Sequence, residues 1–129
     1  MKREYRCPHC RAALNPGTKI ILVARHARRR GLILFSPQIG NYKIIRDPSF
    51  ELREGDLVEF GCPVCATSLT SRADRHLAEI ELRQPAGRRA LVAFSRVYGE
   101  HATFVLDGET LLPYGEDADH YDRVNFFGS

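Results

Sequence analysis

Two tetrapeptides, Cys7-Pro8-His9-Cys10 and Cys62-Pro63-Val64-Cys65, hold all four cysteines of the chain. A Cys-x-x-Cys turn sets two sulfurs close enough for one ion to hold both, and two such turns complete a tetrahedral four-sulfur shell. That donor set suits zinc and, less often, iron. Cys7, Cys10, Cys62 and Cys65 are therefore the candidate metal ligands. A disulfide within each pair is the competing chemistry. A thioredoxin-type redox motif opens a helix in a βαβ setting. Here both pairs follow strand-like residues, Tyr5-Arg6 and Val58-Glu59-Phe60-Gly61, and carry proline directly after the first cysteine. Four thiolates also close the shell, whereas catalytic zinc keeps a position open for water. A structural metal is the expectation. His9, between two ligands, is expected as an exposed polar residue.

Other chemistry-bearing residues form no comparable pattern. Glu100-His101 and Glu116-Asp117-Ala118-Asp119-His120 set carboxylates beside imidazoles, but neither has a spacing such as His-Glu-x-x-His. The plainer expectation is a polar loop over 116–122 and a local hydrogen bond at His101. No phosphate-cradling glycine loop or nucleophile elbow is present. The chain is expected to bind rather than catalyse, and no small-molecule substrate is evident.

The second functional candidate is electrostatic. Residues 1–31 carry nine basic side chains against Glu4, a net of +8, and the other 98 carry ten basic and fifteen acidic, a net of −5. Arg25, Arg28, Arg29 and Arg30 cluster within the basic part. Eight excess charges support salt-sensitive, sequence-indifferent contact with RNA, DNA or a nucleoprotein. A solvated turn that protects a sheet edge explains the same run. A protein partner, docked through the acidic C-terminal segment or a strand edge, is the further alternative.

Short β-branched and apolar runs separated by turn residues must position these groups. Residues 18–25 and 32–35 read as a hairpin whose polar connection, 26–31, ends in Gly31. Strands are also expected at 42–45 and 57–60, the latter leading into the second cysteine pair. Residues 77–83 fit a strand, with helix as the other reading, and turn at 84–89 into 90–94. Asp107-Gly108 signals a tight hairpin between 101–106 and 110–112. The two-phenylalanine end, Phe126-Phe127, is expected to dock. Beyond the cysteine turns, no internal repeat is expected.

Tyr5-Arg6-Cys7-Pro8-His9-Cys10 and Glu59-Phe60-Gly61-Cys62-Pro63-Val64-Cys65 resemble the paired knuckles of the zinc-ribbon class, including its rubredoxin-like branch. The resemblance implies two β-hairpin knuckles facing each other across one metal, with Cys7, Cys10, Cys62 and Cys65 as ligands. In the rubredoxin-like branch the ion would be iron and the function electron transfer. Many such knuckles carry glycine after the second cysteine, where positive φ is needed; this chain has Arg11 and Ala66. The C-terminal half resembles no characterised family.

The expected architecture is a mainly β single domain over 1–129. Residues 1–72 form a zinc ribbon with inserted β-hairpins, and 73–129 a β-rich extension with an acidic tail. A chain of this size buries a core of its own, so the C-terminal half is expected to outlast loss of the metal. No stretch approaches the ~20 apolar residues of a membrane span. The N-terminus carries no apolar secretion segment. A cytoplasmic location is expected, where thiols stay reduced.

Overall fold

The computed structural model describes residues 3–127. It is mainly β, and helical structure among the described residues is limited to two short 3-10 turns, Pro85–Gly87 and Ala118–Tyr121. None is long and apolar enough to cross a membrane. Nine strands form among the described residues: β1 (Glu4–Arg6), β2 (Ile20–His26), β3 (Arg29–Phe35), β4 (Ile44–Arg46), β5 (Glu59–Gly61), β6 (Leu77–Arg83), β7 (Arg89–Ser95), β8 (Thr103–Asp107) and β9 (Thr110–Tyr114). They divide into two antiparallel sheets, β1-β6-β7-β8-β9 and β4-β3-β2-β5.

Alternation decides which face of each strand is buried. In β2, Ile20, Leu22 and Ala24 point inward and are buried, while Ile21 and Val23 lie half-buried on the outer face. Ala78, Ile80 and Leu82 of β6, with Ala90 and Val92 of β7, meet them from the other sheet in one shared core. Residues 77–83 form a strand rather than a helix because both edges are paired, to β1 on one side and β7 on the other. A smaller cluster of Leu77, Ala93, Ala102, Phe104 and Tyr121 lies on the opposite face of that sheet, with Val124 and Phe126 packed against it. Phe126 stands 4.7 Å from the Phe104 ring, so the C-terminal segment docks through this residue alone of the two, and Phe127 is exposed.

The first hairpin is tighter than its sequence suggests. Pairing runs to His26↔Arg29, leaving only Ala27 and Arg28 in the turn, at φ 50° and 67°. Two central residues with positive φ make the turn that matches strand twist. Asn-Gly is its usual signature, and Ala-Arg gives no hint of it.

The first cysteine turn follows β1 and the second follows β5. Each therefore hangs from a different sheet, although β1 comes from the extreme N-terminal part of the chain and lies beside β6.

Candidate metal centre

The two knuckles are built alike, residue for residue, at an offset of 55 positions. Arg11 donates its backbone N–H to the Cys7 carbonyl at 2.9 Å, and Ala66 donates to Cys62 at 2.9 Å. Cys7 N–H reaches the Ala12 carbonyl at 3.0 Å, and Cys62 N–H reaches Thr67 at 3.1 Å. Leu14 N–H bonds to Tyr5 and Leu69 N–H to Phe60, at 2.8 and 2.9 Å. Single β-bridges Arg6↔Ala13 and Gly61↔Ser68 complete the match. Tyr5 and Phe60, each two residues before a cysteine, are both buried and anchor their knuckles in the shared core. Besides the cysteines, the sequence shows the repeat at Glu4/Glu59, Pro8/Pro63 and Leu14/Leu69 and in the aromatic pair Tyr5/Phe60, while backbone hydrogen bonds carry the rest.

Arg11 and Ala66 occupy the left-handed region at φ 66° and 63°, where glycine is more usual. Cβ crowding there costs about 1–2 kcal/mol. The turn is held nonetheless, because it aims the backbone amides at sulfur. His9 N–H lies 3.3 Å from Cys7 Sγ and Val64 N–H 3.3 Å from Cys62 Sγ, with Cys65 N–H at 3.5 Å. Such donors disperse the negative charge that gathers on thiolates around a cation. His9 itself is exposed, as expected.

Cys7, Cys10, Cys62 and Cys65 converge, their four sulfurs lying within 4.8 Å of one another. Across the knuckles, Cys7 Sγ stands 3.8 Å from Cys65 Sγ and Cys10 Sγ 3.7 Å from Cys62 Sγ. A tetrahedron with metal–sulfur bonds of ~2.3 Å has sulfur–sulfur edges of ~3.8 Å. A disulfide needs ~2.05 Å, and all four cysteines are free. The spacing therefore fits a metal ion and not a pair of disulfides.

The four thiols are not equivalent. Burial pushes the Cys7 thiol up to about 12 and raises Cys62, whereas hydrogen bonds with Thr67 bring Cys65 down to about 6. Burial favours the protonated form of Cys7 and Cys62, the form a metal ion has to displace. Metal binding thus releases protons.

Arg11, next to Cys10, also ties the first knuckle to the sheet. Its guanidinium lies 3.1 Å from the carboxylate of Glu81, a buried residue of β6 that Arg89 approaches to 3.5 Å and Arg83 to 3.9 Å. Nothing in the sequence marks Glu81, since its neighbours come from three separate segments.

The four arginines of the basic segment lie at the far end of the β2–β3 hairpin. Arg25 and Arg30 are cross-strand partners on one face, with Glu59 completing the row and 3.6 Å from Arg25. Arg28 sits in the turn and Arg29 on the opposite face. All four are exposed. The imidazole–carboxylate pairs are crossed in space: His101 Nδ1 lies 3.0 Å from Glu116, and His120 Nδ1 lies 3.0 Å from Glu100. His101 is therefore bonded across fifteen residues rather than locally. Ser95 and Tyr121 also donate to Glu100, so the cluster fastens the C-terminal segment to the end of β7.

Fold and site together define a mainly β protein with a four-cysteine cluster compatible with a zinc-ribbon-like metal site. No family model matches the chain, and comparison with curated proteins and solved structures gives no significant match.

Proposed function

We propose that the chain is a binding and assembly module built on one structural zinc ion, held by Cys7, Cys10, Cys62 and Cys65, that contacts nucleic acid or a nucleoprotein through its basic hairpin. The convergence of four sulfurs from two sheets at tetrahedral spacing carries the metal half of this reading. A four-sulfur shell leaves no open position, which favours a structural ion over a catalytic one. The partner half rests on the hairpin tip, where Arg28, Arg29 and Arg30 are exposed and form no ion pair among the described residues. Aromatic rings that stack bases are scarce there, so contact is with phosphates and indifferent to sequence.

Elemental analysis of anaerobically purified protein tests the first half. One equivalent of zinc in a colourless solution supports it, and a red ferric protein replaces it with a rubredoxin-like electron carrier. Fluorescence anisotropy with labelled RNA and duplex DNA tests the second. Affinity is expected to fall steeply with salt, and alanine at Arg28, Arg29 and Arg30 to reduce the duplex salt slope by about 2.7. Absence of binding at ~50 mM salt would leave docking onto a protein as the function.

A further inference from the structure

The core shared by the two sheets packs shut at its centre but leaves a recess at one edge, onto which its inner residues face. A cavity of about 320 Å³ opens there, walled by Ile20, Leu22, Ile33, Ile80 and Val92. Its aromatic lining is a triangle: Phe35, Phe60 and Phe94 stand 5.4, 5.6 and 5.6 Å apart, centroid to centroid. Close-packed interiors have few voids larger than one water. This one has the volume of about ten methylene-sized groups, each taking the ~30 Å³ of a liquid water. Phe35, Ile39, Ile44, Phe94 and Tyr98 are only partly buried, so the cavity opens to the outside. Its rim is formed by 38–42 and 95–103.

The polar groups of the wall are already satisfied within the protein. Tyr5 donates to the Pro37 carbonyl, Tyr42 bonds Thr103 and the Tyr114 carbonyl, and Arg96 is held by the carbonyls of Val58 and Arg75. Glu100 accepts from Ser95 and Tyr121 and meets His120, while His101 is bonded to Glu116 and stacked on Tyr42. Among the described residues, the buried side-chain nitrogen without a hydrogen bond is Arg83 Nε, which lies outside the cavity, 3.9 Å from the Glu81 carboxylate. Glu54 remains, exposed at the rim. An anion would meet an Arg96 whose Nε and Nη1 are already committed to carbonyls, and a cation would meet Glu54 only at the exposed rim, so a charged ligand loses more hydration than it regains. An apolar one would exchange water for hydrocarbon and ring contacts.

We propose that this cavity is a binding site for an uncharged, apolar small molecule of about ten non-hydrogen atoms, a role independent of which metal the cysteines hold. The test is methyl NMR on the full chain labelled at isoleucine and titrated with 1-octanol. The methyls of Ile20, Ile33 and Ile80 are expected to shift saturably, whereas those of Ile21 and Ile45, on the outer face of the β2-containing sheet, stay fixed. Octanoate and octylamine are expected to need at least about tenfold higher concentration, because each brings an unpaired charge. Val92→Phe, which fills the cavity, is expected to abolish the shifts in protein whose remaining spectrum is folded. Absence of saturable shifts up to the solubility of octanol would overturn the proposal. So would equal movement at Ile21 and Ile45, equal affinity for the charged analogues, or undiminished binding in a folded Val92→Phe variant. Because the titration itself locates the ligand, the result stands even if that variant does not fold.

Discussion

Replacing Cys62 by serine, or stripping the metal with a chelator, should dissolve both sheets and not the knuckles alone. Four-sulfur zinc sites contribute about 10–16 kcal/mol to folding, against total stabilities of about 5–15 kcal/mol for ordinary domains. The structure says where that energy acts. Cys7 follows β1 in one sheet and Cys62 follows β5 in the other, and both are fully buried in the core that the sheets share. Ala78, Ile80, Leu82, Ala90 and Val92 bury their apolar surface against β2 and the knuckle anchors. The C-terminal strands therefore do not own a separate core large enough to persist; their second cluster has five buried residues, of which two are alanines. Hydrogen–deuterium exchange read by mass spectrometry, before and after chelation, checks this directly. Amides of β2, β3 and β6–β8 are expected to lose protection together. Protection that survives in β6–β8, in protein shown by elemental analysis to lack metal, would refute the reasoning and make the ion a local clamp.

Four further outcomes follow from the geometry. Ala66→Gly relieves a left-handed alanine and should raise stability by about 0.5–1 kcal/mol in denaturant titration, strain relief exceeding the gain in unfolded-state entropy. Arg11→Gly should lower it, because the same relief is outweighed by taking one arginine from the buried Glu81. Gly115→Ala should cost about 2–3 kcal/mol and lower Tm, since a Cβ there would stand 2.2 Å from the His101 carbonyl oxygen and 2.5 Å from the Tyr42 hydroxyl, at φ +97°. The last concerns pH. Burial pushes the Glu100 carboxyl up, but hydrogen bonds from Ser95, Tyr121 and His120 outweigh it and hold it below 4.5. The Glu100 hydrogen bond in turn raises His120 above 6.5. The carboxylate's contribution is present above 4.5 and lost as pH falls through its lowered value; the imidazole's is present below 6.5 and lost as pH rises through its raised value. Attachment of the C-terminal segment should be firmest between these limits. Ring-proton NMR of Phe126 across pH checks it, and Glu100→Gln should flatten the profile.

Local signals were readable from residues, and long-range ones were not. Asp107-Gly108 marks the β8–β9 turn because Gly108, the first residue between the paired Asp107 and Thr110, takes a positive φ of 62° that glycine adopts freely. The cysteine pairs declare a shared ion because thiolates at that spacing have few other uses. By contrast, β1 pairs with β6 across more than seventy positions, and a three-residue strand carries no pattern that names its partner. The Ala27-Arg28 turn escaped notice because neither residue prefers the conformation it adopts. The cavity was invisible for another reason: the apolar runs of β2 and β7 show that their inner faces are buried, but not where along them the two sheets stop closing on each other. The crossed pairs His101–Glu116 and His120–Glu100 were misassigned to sequence neighbours, since only the packing of the C-terminal segment brings the distant partners together.

The pairing of β1 with β6 also has a consequence in time. A ribosome releases Cys7 and Cys10 first, yet the strand that supports them waits for Leu77–Arg83 to emerge, and their sulfur partners for Cys62 and Cys65. Until then the leading thiols belong to an unsupported loop, open to oxidants and to stray ions. Assembly of the four-sulfur site therefore waits until Leu77–Arg83 has been made, and any cation it takes is captured after that point and not before.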